Sequence, residues 1–441
     1  MSSWQTGLAE AAAGVTPDRL DDRVLDRLRT LLLHNITVGL AAAAAGRPAA
    51  RAAQVLLPAW GEGDIALVGG GKAGLLGAIF ANATCMAASI QEDAWNGQHL
   101  GSALIPTGLA VAQRQGSSAS HLFAALAAGY GTAMAVADRY GSATGARGFR
   151  GTAIYGQFGA AVVAGKLLNL DADGLVRALS VAANTPGGLP GPLLTGNDEV
   201  LFQSGLAAVK GTLAALAALE PIAVSPDAFD GRGYFGSAYA GLEPEAVAPP
   251  AAPTAEALAA RVVEVGLRPY PLNHLCLAPV AAALDATGSR GVPAGDVESV
   301  TVWMLPGEAK GVSMAGPFKR PMQAMFSVPL AVSAALCDGG LTLDPLLARA
   351  VEPAVLGLAG RVEIRPDEGL APLTARVVVR TATGELAGQA LDPEALHRPA
   401  YASFAPTVGE RWGAVAQAVA ALPHGAMSVL LGALHSFTPS A

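Results

Sequence analysis

The stretch Gln91-Glu92-Asp93-Ala94-Trp95-Asn96-Gly97-Gln98-His99-Leu100-Gly101 crowds carboxylates, an indole, amides and an imidazole between two almost wholly apolar runs. An unperturbed imidazole titrates near neutrality, so His99 beside Glu92 and Asp93 could supply general acid or base chemistry. The plainer alternative is that these groups cap helix ends and face water. Residues 78–90 read as a buried helix. Residues 105–113 read as another, with Pro106 near its start, where a missing N–H is tolerated. The polar cluster therefore falls where two core helices meet.

A chain of 441 residues is long enough for two or three domains and a large core. Charged residues make up only 14% and hydrophobic residues 52%, which favours burial within the chain or against copies of itself, and so a homo-oligomer. No apolar run reads as long and clean enough for a membrane span, and no signal peptide is evident at the start, so a cytoplasmic protein with no membrane partner is expected. Cys85, Cys276 and Cys337 are odd in number and far apart, giving neither a disulfide framework nor zinc spacing. A net charge of -7 without a basic block leaves no electrostatic footprint for nucleic acid.

Along the chain, residues 8–57 are mostly helical, with Thr16-Pro17-Asp18 as an N-terminal signal. Asp21-Asp22 could be a metal-binding pair, as in terpene-cyclase-like helical enzymes, or first-turn acids that complement a helix dipole. Residues 67–72 carry glycines without phosphate-loop spacing and read as a turn. A helix over 120–140 is expected to give way to a glycine-rich loop over 141–151. In the next helix Gly156, Ala160 and Ala164 share a small-residue face, and Asp171 caps the one after. The proline-rich segment Arg268-Pro269-Tyr270-Pro271-Leu272-Asn273-His274 cannot be regular and again concentrates polar groups. Strands are expected at 297–304, 361–364, 375–380 and 385–390, the last two joined by a hairpin at Thr383-Gly384, and helices at 321–337 and 345–351, the latter capped by Asp344. The fold expected is mainly α: a large all-helical domain over 1–266, a smaller α+β lid over 267–399, and a helical tail over 400–441 that returns to the first domain.

The whole chain resembles the MmgE/PrpD family, which includes 2-methylcitrate dehydratase, cis-aconitate decarboxylase and iminodisuccinate epimerase. The matching stretches, in order, are Asn82-Ala83-Thr84 into the acidic cluster, His99-Leu100-Gly101-Ser102 with Ile105-Pro106, Gly148-Phe149-Arg150-Gly151-Thr152, residues 205–216, Arg268-Pro269-Tyr270-Pro271, and Ala324-Met325-Phe326-Ser327. The resemblance implies a large helical domain with a smaller lid, a homodimer, no metal or organic cofactor, and proton chemistry next to a carboxylate with loss of water or carbon dioxide. Measured against the family pattern, this chain has Ile90 for the first aspartate, Glu92-Asp93 at the acidic pair and Ala94 for the threonine. The family's second histidine becomes Arg150, one lysine becomes a residue near Val200, another becomes Arg268, and a tyrosine becomes Leu330.

These replacements remove titratable groups, and an ionised carboxylate buried without a partner costs several kcal/mol. A pocket lined by Ile90, Ala94, Val200 and Leu330 is thus expected to take a small molecule less charged than a tricarboxylate. His99 would move the proton, with Asp93 or Glu92 setting its tautomer. Arg150 or Arg268 would hold the substrate's carboxylate or carbonyl, and Trp95, Tyr270 and His274 would stand nearby. The expected activity is that of a cofactor-independent lyase or isomerase. A non-catalytic binding or scaffold dimer is the alternative, to be told apart by whether His99 and an arginine still converge beside a cavity.

Overall fold

The computed structural model describes residues 3–225, 227–243, 250–392, 408–409 and 411–435. The domain limit expected at 399/400 and most of the proline- and alanine-rich stretch 243–253 lie outside the described residues. Helices α1 (Trp4–Gly14), α2 (Asp22–Ala44), α3 (Pro48–Val55), α4 (Leu75–Ala87), α5 (Gly101–Gln115), α6 (Ala119–Ala146), α7 (Gly151–Leu167), α8 (Ala172–Ala183), α9 (Gly191–Thr195) and α10 (Phe202–Ala217) build the first unit. Between α3 and α4, the short strands β1 (Ile65–Ala66) and β2 (Lys72–Ala73) pair around the expected glycine turn.

Helix α7 is apolar on every side and sits at the centre, packed by α5, α6, α8 and α10. Its small-residue face permits this: a Cβ added at Gly156 would lie 3.2 Å from Ala103 of α5 and 3.8 Å from Ala207 of α10. Helix α6 runs on to Ala146, so the loop expected from Gly141 onward is largely helix. Burial of Tyr140 and Thr144, with the Thr144 hydroxyl 2.7 Å from that of Tyr155, outweighs the roughly 1 kcal/mol that each helical glycine costs. Thr16-Pro17-Asp18 opens only a single 3-10 turn; α2 starts after Asp21, whose carboxylate accepts the Val24 N–H at 2.8 Å. Asp21 therefore serves as a cap.

By length and composition α6 and residues 198–217 could each cross a membrane, which the sequence reading did not anticipate. In the fold 83% of the apolar window of α6 and 61% of the other are buried inside the protein. Their hydrophobicity is that of core helices.

The first core continues to Leu267 and resumes in helices Arg411–Ala420 and Met427–His435, the former packing on α2. A second core runs from Leu272 to Ala390 and borrows Ala88, Ile90, Val200 and Leu201 from the helical unit. Two more short strands, β3 (Asp93–Ala94) and β4 (Gly266–Leu267), pair antiparallel where the chain passes between the cores. The second unit contains β5 (Val297–Met304), β6 (Val362–Pro366), β7 (Ala375–Thr381) and β8 (Gly384–Ala390) in the order β6-β5-β7-β8. β5 and β6 are parallel and the other neighbours antiparallel; the β7–β8 hairpin closes at Thr381 and Gly384 as expected. Helix Leu277–Thr287 covers β7 and β8. The architecture is mainly α with a smaller α+β unit, as the sequence suggested.

Two local expectations change. The helix expected over 321–337 is two, Pro321–Met325 and Val328–Asp338, because the Ser327 hydroxyl caps Leu330 N–H at 3.0 Å and restarts the helix. Asp344 lies inside the first turn of helix Leu343–Arg349, where it pairs with Arg47 rather than capping.

Candidate functional site

The polar cluster is shaped by a chain reversal that follows α4. Ile90 adopts φ +49°, a left-handed conformation that a β-branched side chain tolerates poorly, and so directs Gln91 away from the helix. Gln91 is tied on both sides: its carbonyl contacts His34 Nε2 at 2.7 Å, and its Nε2 donates to Pro269 O at 3.0 Å. After β3, Trp95 and Gln98 exchange backbone hydrogen bonds of 2.9 and 2.8 Å around Asn96 and Gly97, which sit at φ +44° and +72°. Such a two-residue turn needs positive φ at both positions, and Asn-Gly is its strongest sequence signal, which the sequence reading overlooked.

His99 follows this turn and is 7% exposed. Its N–H donates to the Thr152 hydroxyl at 3.0 Å, and its carbonyl accepts from the Ser102 hydroxyl at 2.8 Å. The ring Nδ1 lies 2.8 Å from the backbone oxygen of Asp93. A carbonyl only accepts, so Nδ1 carries the proton and Nε2 the lone pair. Nε2 has no hydrogen-bond partner among the described residues.

The carboxylates do not contact this ring, contrary to expectation. Asp93 uses its side chain to accept Gly101 N–H at 3.0 and 3.1 Å and the Tyr130 hydroxyl at 2.6 Å, which anchors the start of α5. Gly101 must be glycine here, since a Cβ would collide with the Asp93 carboxylate, the Tyr130 hydroxyl and Asn35. Glu92 forms a buried ion pair with Arg268, whose Nε donates to Glu92 O at 3.2 Å and whose other amino group donates to Leu272 O at 3.3 Å. All three guanidinium nitrogens of Arg268 are thus engaged with protein, which corrects the expectation that it might hold substrate. Arg150, half-buried at the start of α7, has one side-chain hydrogen bond, to Gln203 Oε1 at 3.3 Å, and its Nε and remaining amino group donate to no described residue.

A cavity of about 590 Å³ opens beside the cluster, bordered by Ala94, Trp95, Asn96, Glu264, His274 and Glu308 among others. Trp95 is fixed by its indole N–H to Glu264 at 3.2 Å and by the Arg261 guanidinium 5.3 Å above its ring. Tyr270 is half-buried against the second core. The single apolar pocket expected from Ile90, Ala94, Val200 and Leu330 is not formed. Ala94 borders the large cavity, and Ile90 a separate one of about 60 Å³ with Met322 and Met325. Val200 and Leu330 are packed inside the second core. Among the described residues no three His, Cys, Asp or Glu side chains converge as a metal site would.

The model for the MmgE/PrpD N-terminal domain matches residues 6–246. The chain belongs to the MmgE/PrpD family. A comparison with curated protein sequences finds no match. Family membership points to dehydratase- or lyase-type enzyme chemistry. Within this MmgE/PrpD chain the matched span holds Glu92, Asp93, His99 and Arg150, while Arg268 and His274 reach the cluster from beyond it.

The electrostatics keep the imidazoles neutral. Burial, followed by the positive fields of Arg268 and Arg150, holds His99 well below its ordinary 6.5. Burial and Arg268 bring His274 down to about 4. Burial lowers Arg150 to about 10, with Glu92 pulling it back up. Asp93 moves the other way: burial raises it to about 7, against the pull of Tyr130 and Gly101.

Two predictions follow from this geometry. Glu92→Gln leaves the Arg268 charge buried without compensation and should lower unfolding free energy by about 3–5 kcal/mol in urea titration; a loss below about 1 kcal/mol would show that the pair is not closed in solution. For Asp93 the folded pKa of about 7 stands above the ordinary 3.8, so the native state holds the extra proton in between. The stability it contributes is full below pH about 4 and lost as pH rises through about 7. Asp93→Asn should therefore flatten the fall in melting temperature over that window, and an unchanged slope would assign the fall to other groups.

Proposed function

We propose that this MmgE/PrpD protein is a lyase or isomerase that removes a proton from carbon next to a carboxylate or carbonyl, with His99 Nε2 as base and Arg150 as the anion-binding group. The observation that carries this reading is the locked imidazole: Nδ1 is committed to Asp93 O, so the lone pair lies on Nε2, which has no hydrogen-bond partner among the described residues. The C–H proton passes to Nε2, and the electron pair it leaves delocalises into the carboxylate or carbonyl held by Arg150. From there it either expels a leaving group from the neighbouring carbon or recaptures a proton elsewhere. Side chains alone supply the base and the counter-charge, so the step as written calls for no cofactor.

The substrate we propose carries fewer charges than a polycarboxylate. Arg268 is neutralised by Glu92, and the neighbouring cavity presents the carboxylate of Glu308, and that of Glu264 paired with Arg261, next to apolar Ala94, Leu275, Leu277 and Leu373. One free guanidinium matches one carboxylate, and further anions would meet like charge. We also propose that the protein works as a homodimer. Support comes from α10, where Leu206 and Leu213 lie seven residues apart on one face and are 46% and 45% exposed, with Leu219 and Ile222 exposed just beyond. Sedimentation at micromolar concentration should give the mass of two chains, and a single-chain mass would remove this part.

The test of the chemistry is incubation of candidate mono-carboxylates and ketones in D₂O. Wild-type protein should wash deuterium into the carbon acid, and His99→Ala should slow this by about 10²–10⁴-fold; exchange at an equal rate would take His99 out of the mechanism. Because His99 stands below 6.5, the acid limb of kcat/KM should lie below that pH. Arg150→Gln removes one positive field and should move the limb upward. A limb that stays in place would place Arg150 too far from the ring to matter.

A further inference from the structure

On the far side of the Trp95–Gln98 turn lies a second cavity, of about 450 Å³. The two cavities share Trp95, Asn96 and Gly97 as a common wall. The floor of the second is one face of α6, where Gly141 and Gly145 stand one turn apart. A Cβ at either would meet nothing within 4 Å, so these glycines are not there to let another helix approach. They leave bare backbone at the bottom of a hollow. Trp95 and Phe149 supply aromatic sides.

Two of the polar side chains that border this hollow, Gln98 and Asp138, carry acceptors. Gln98 is 8% exposed and borders the cavity, yet its Oε1 is enclosed without a hydrogen-bond partner. Leaving such an oxygen unsatisfied costs about 1–3 kcal/mol, which a donor on a guest would recover. The Asp138 carboxylate stands on the same rim, held by Arg261 at 2.7 Å and otherwise half exposed. No lysine or arginine is among the residues that border the cavity.

The geometry points to a second binding chamber, one that takes a planar ring bearing N–H donors, of the aromatic amine or amidine class. The flat glycine floor and the two aromatic sides fit a ring. Gln98 Oε1 and Asp138 fit its donors, and the absence of a bordering cation disfavours an anion. The chamber's chemistry is opposite to that proposed for Arg150, which borders neither of the two cavities. Its existence does not depend on what His99 does.

Benzamidine, planar and donor-rich, and benzoate, its acceptor-only counterpart, are the probes, titrated into the full chain by calorimetry. Benzamidine should bind saturably, and benzoate at least tenfold more weakly at this chamber. Gly145→Leu fills the hollow with a good helix former, so it should keep the melting temperature and weaken benzamidine at least tenfold. Gly141→Leu is the second variant should the first fail to fold, and Gln98→Leu should weaken benzamidine while sparing the cavity's volume. His99→Ala should bind benzamidine normally, which separates failure here from failure of the proton-transfer reading. Benzamidine binding untouched by the glycine variants would place it beside Glu264 and Glu308 and overturn the proposal. So would equal affinity for the two probes at the chamber, or no saturable benzamidine binding.

Discussion

The ion pair between Glu92 and Arg268 is the fixed point of this molecule. Both groups are almost fully buried, and they join positions 176 residues apart in the chain. Desolvating two charges is expensive, and the cost is offset here only because every guanidinium nitrogen finds an oxygen. What the pair secures is register. It sits beside the β3–β4 ladder, so Asp93 can face only Leu267, and the helical unit is stitched to the second unit at one defined place. Asp93 then does three things at once: its backbone pairs with β4, its carbonyl orients His99, and its carboxylate holds the first turn of α5. A slip of one residue would undo all three.

This arrangement accounts for an unusual charge pattern. A carboxylate hydrogen-bonded to an imidazole raises its pKa, whereas a neutral carbonyl orients the ring without adding a full negative charge. Here Asp93 offers its carbonyl and turns its carboxylate to Tyr130 and Gly101. With Arg150 and Arg268 adding positive potential, His99 is kept in its basic form at neutral pH. The same potential draws in an anion, and the anion's charge in turn offsets the field that depressed the imidazole. On the proposed reading, substrate binding strengthens the base that is to attack it.

Much of the fold was legible in the sequence because local signals agreed with tertiary demands. Alternation placed β5 and β7, Thr383-Gly384 placed the last hairpin, Asp171 capped α8, and Gly156 with Ala160 marked the face where α7 is gripped. The failures arose where packing overrode propensity. Gly141 and Gly145 looked like loop but lie on a helix that is anchored from its other face by Tyr140 and Thr144. Within the site, residue types pointed to the cluster but not to who bonds whom. Glu92 and Asp93 are adjacent carboxylates, yet Glu92, just before β3, turns to Arg268 and Asp93, at its start, to Tyr130. Neither spacing nor composition could say that Arg268 would be neutralised and that Arg150 would be held by Gln203 without a carboxylate.

The departures from the family pattern now have a physical setting. Ile90, standing where the resemblance places an aspartate, holds a left-handed backbone and tucks its side chain against Met322 and Met325. A carboxylate at that position would enter a hollow of about 60 Å³ whose lining is mostly apolar but includes Arg47 and Asp198. The strain at Ile90 is therefore borne by packing with the second unit, and the same turn of chain delivers Glu92 to Arg268. Loss of a titratable group there and the gain of a rigid apolar hinge are one change seen from two sides. On the proposed reading, the centre that remains has one base, His99, and one guanidinium, that of Arg150, whose only described side-chain partner is Gln203. On that reading the centre discriminates by where a single negative charge sits relative to an acidic C–H, and much less by how many charges the ligand carries.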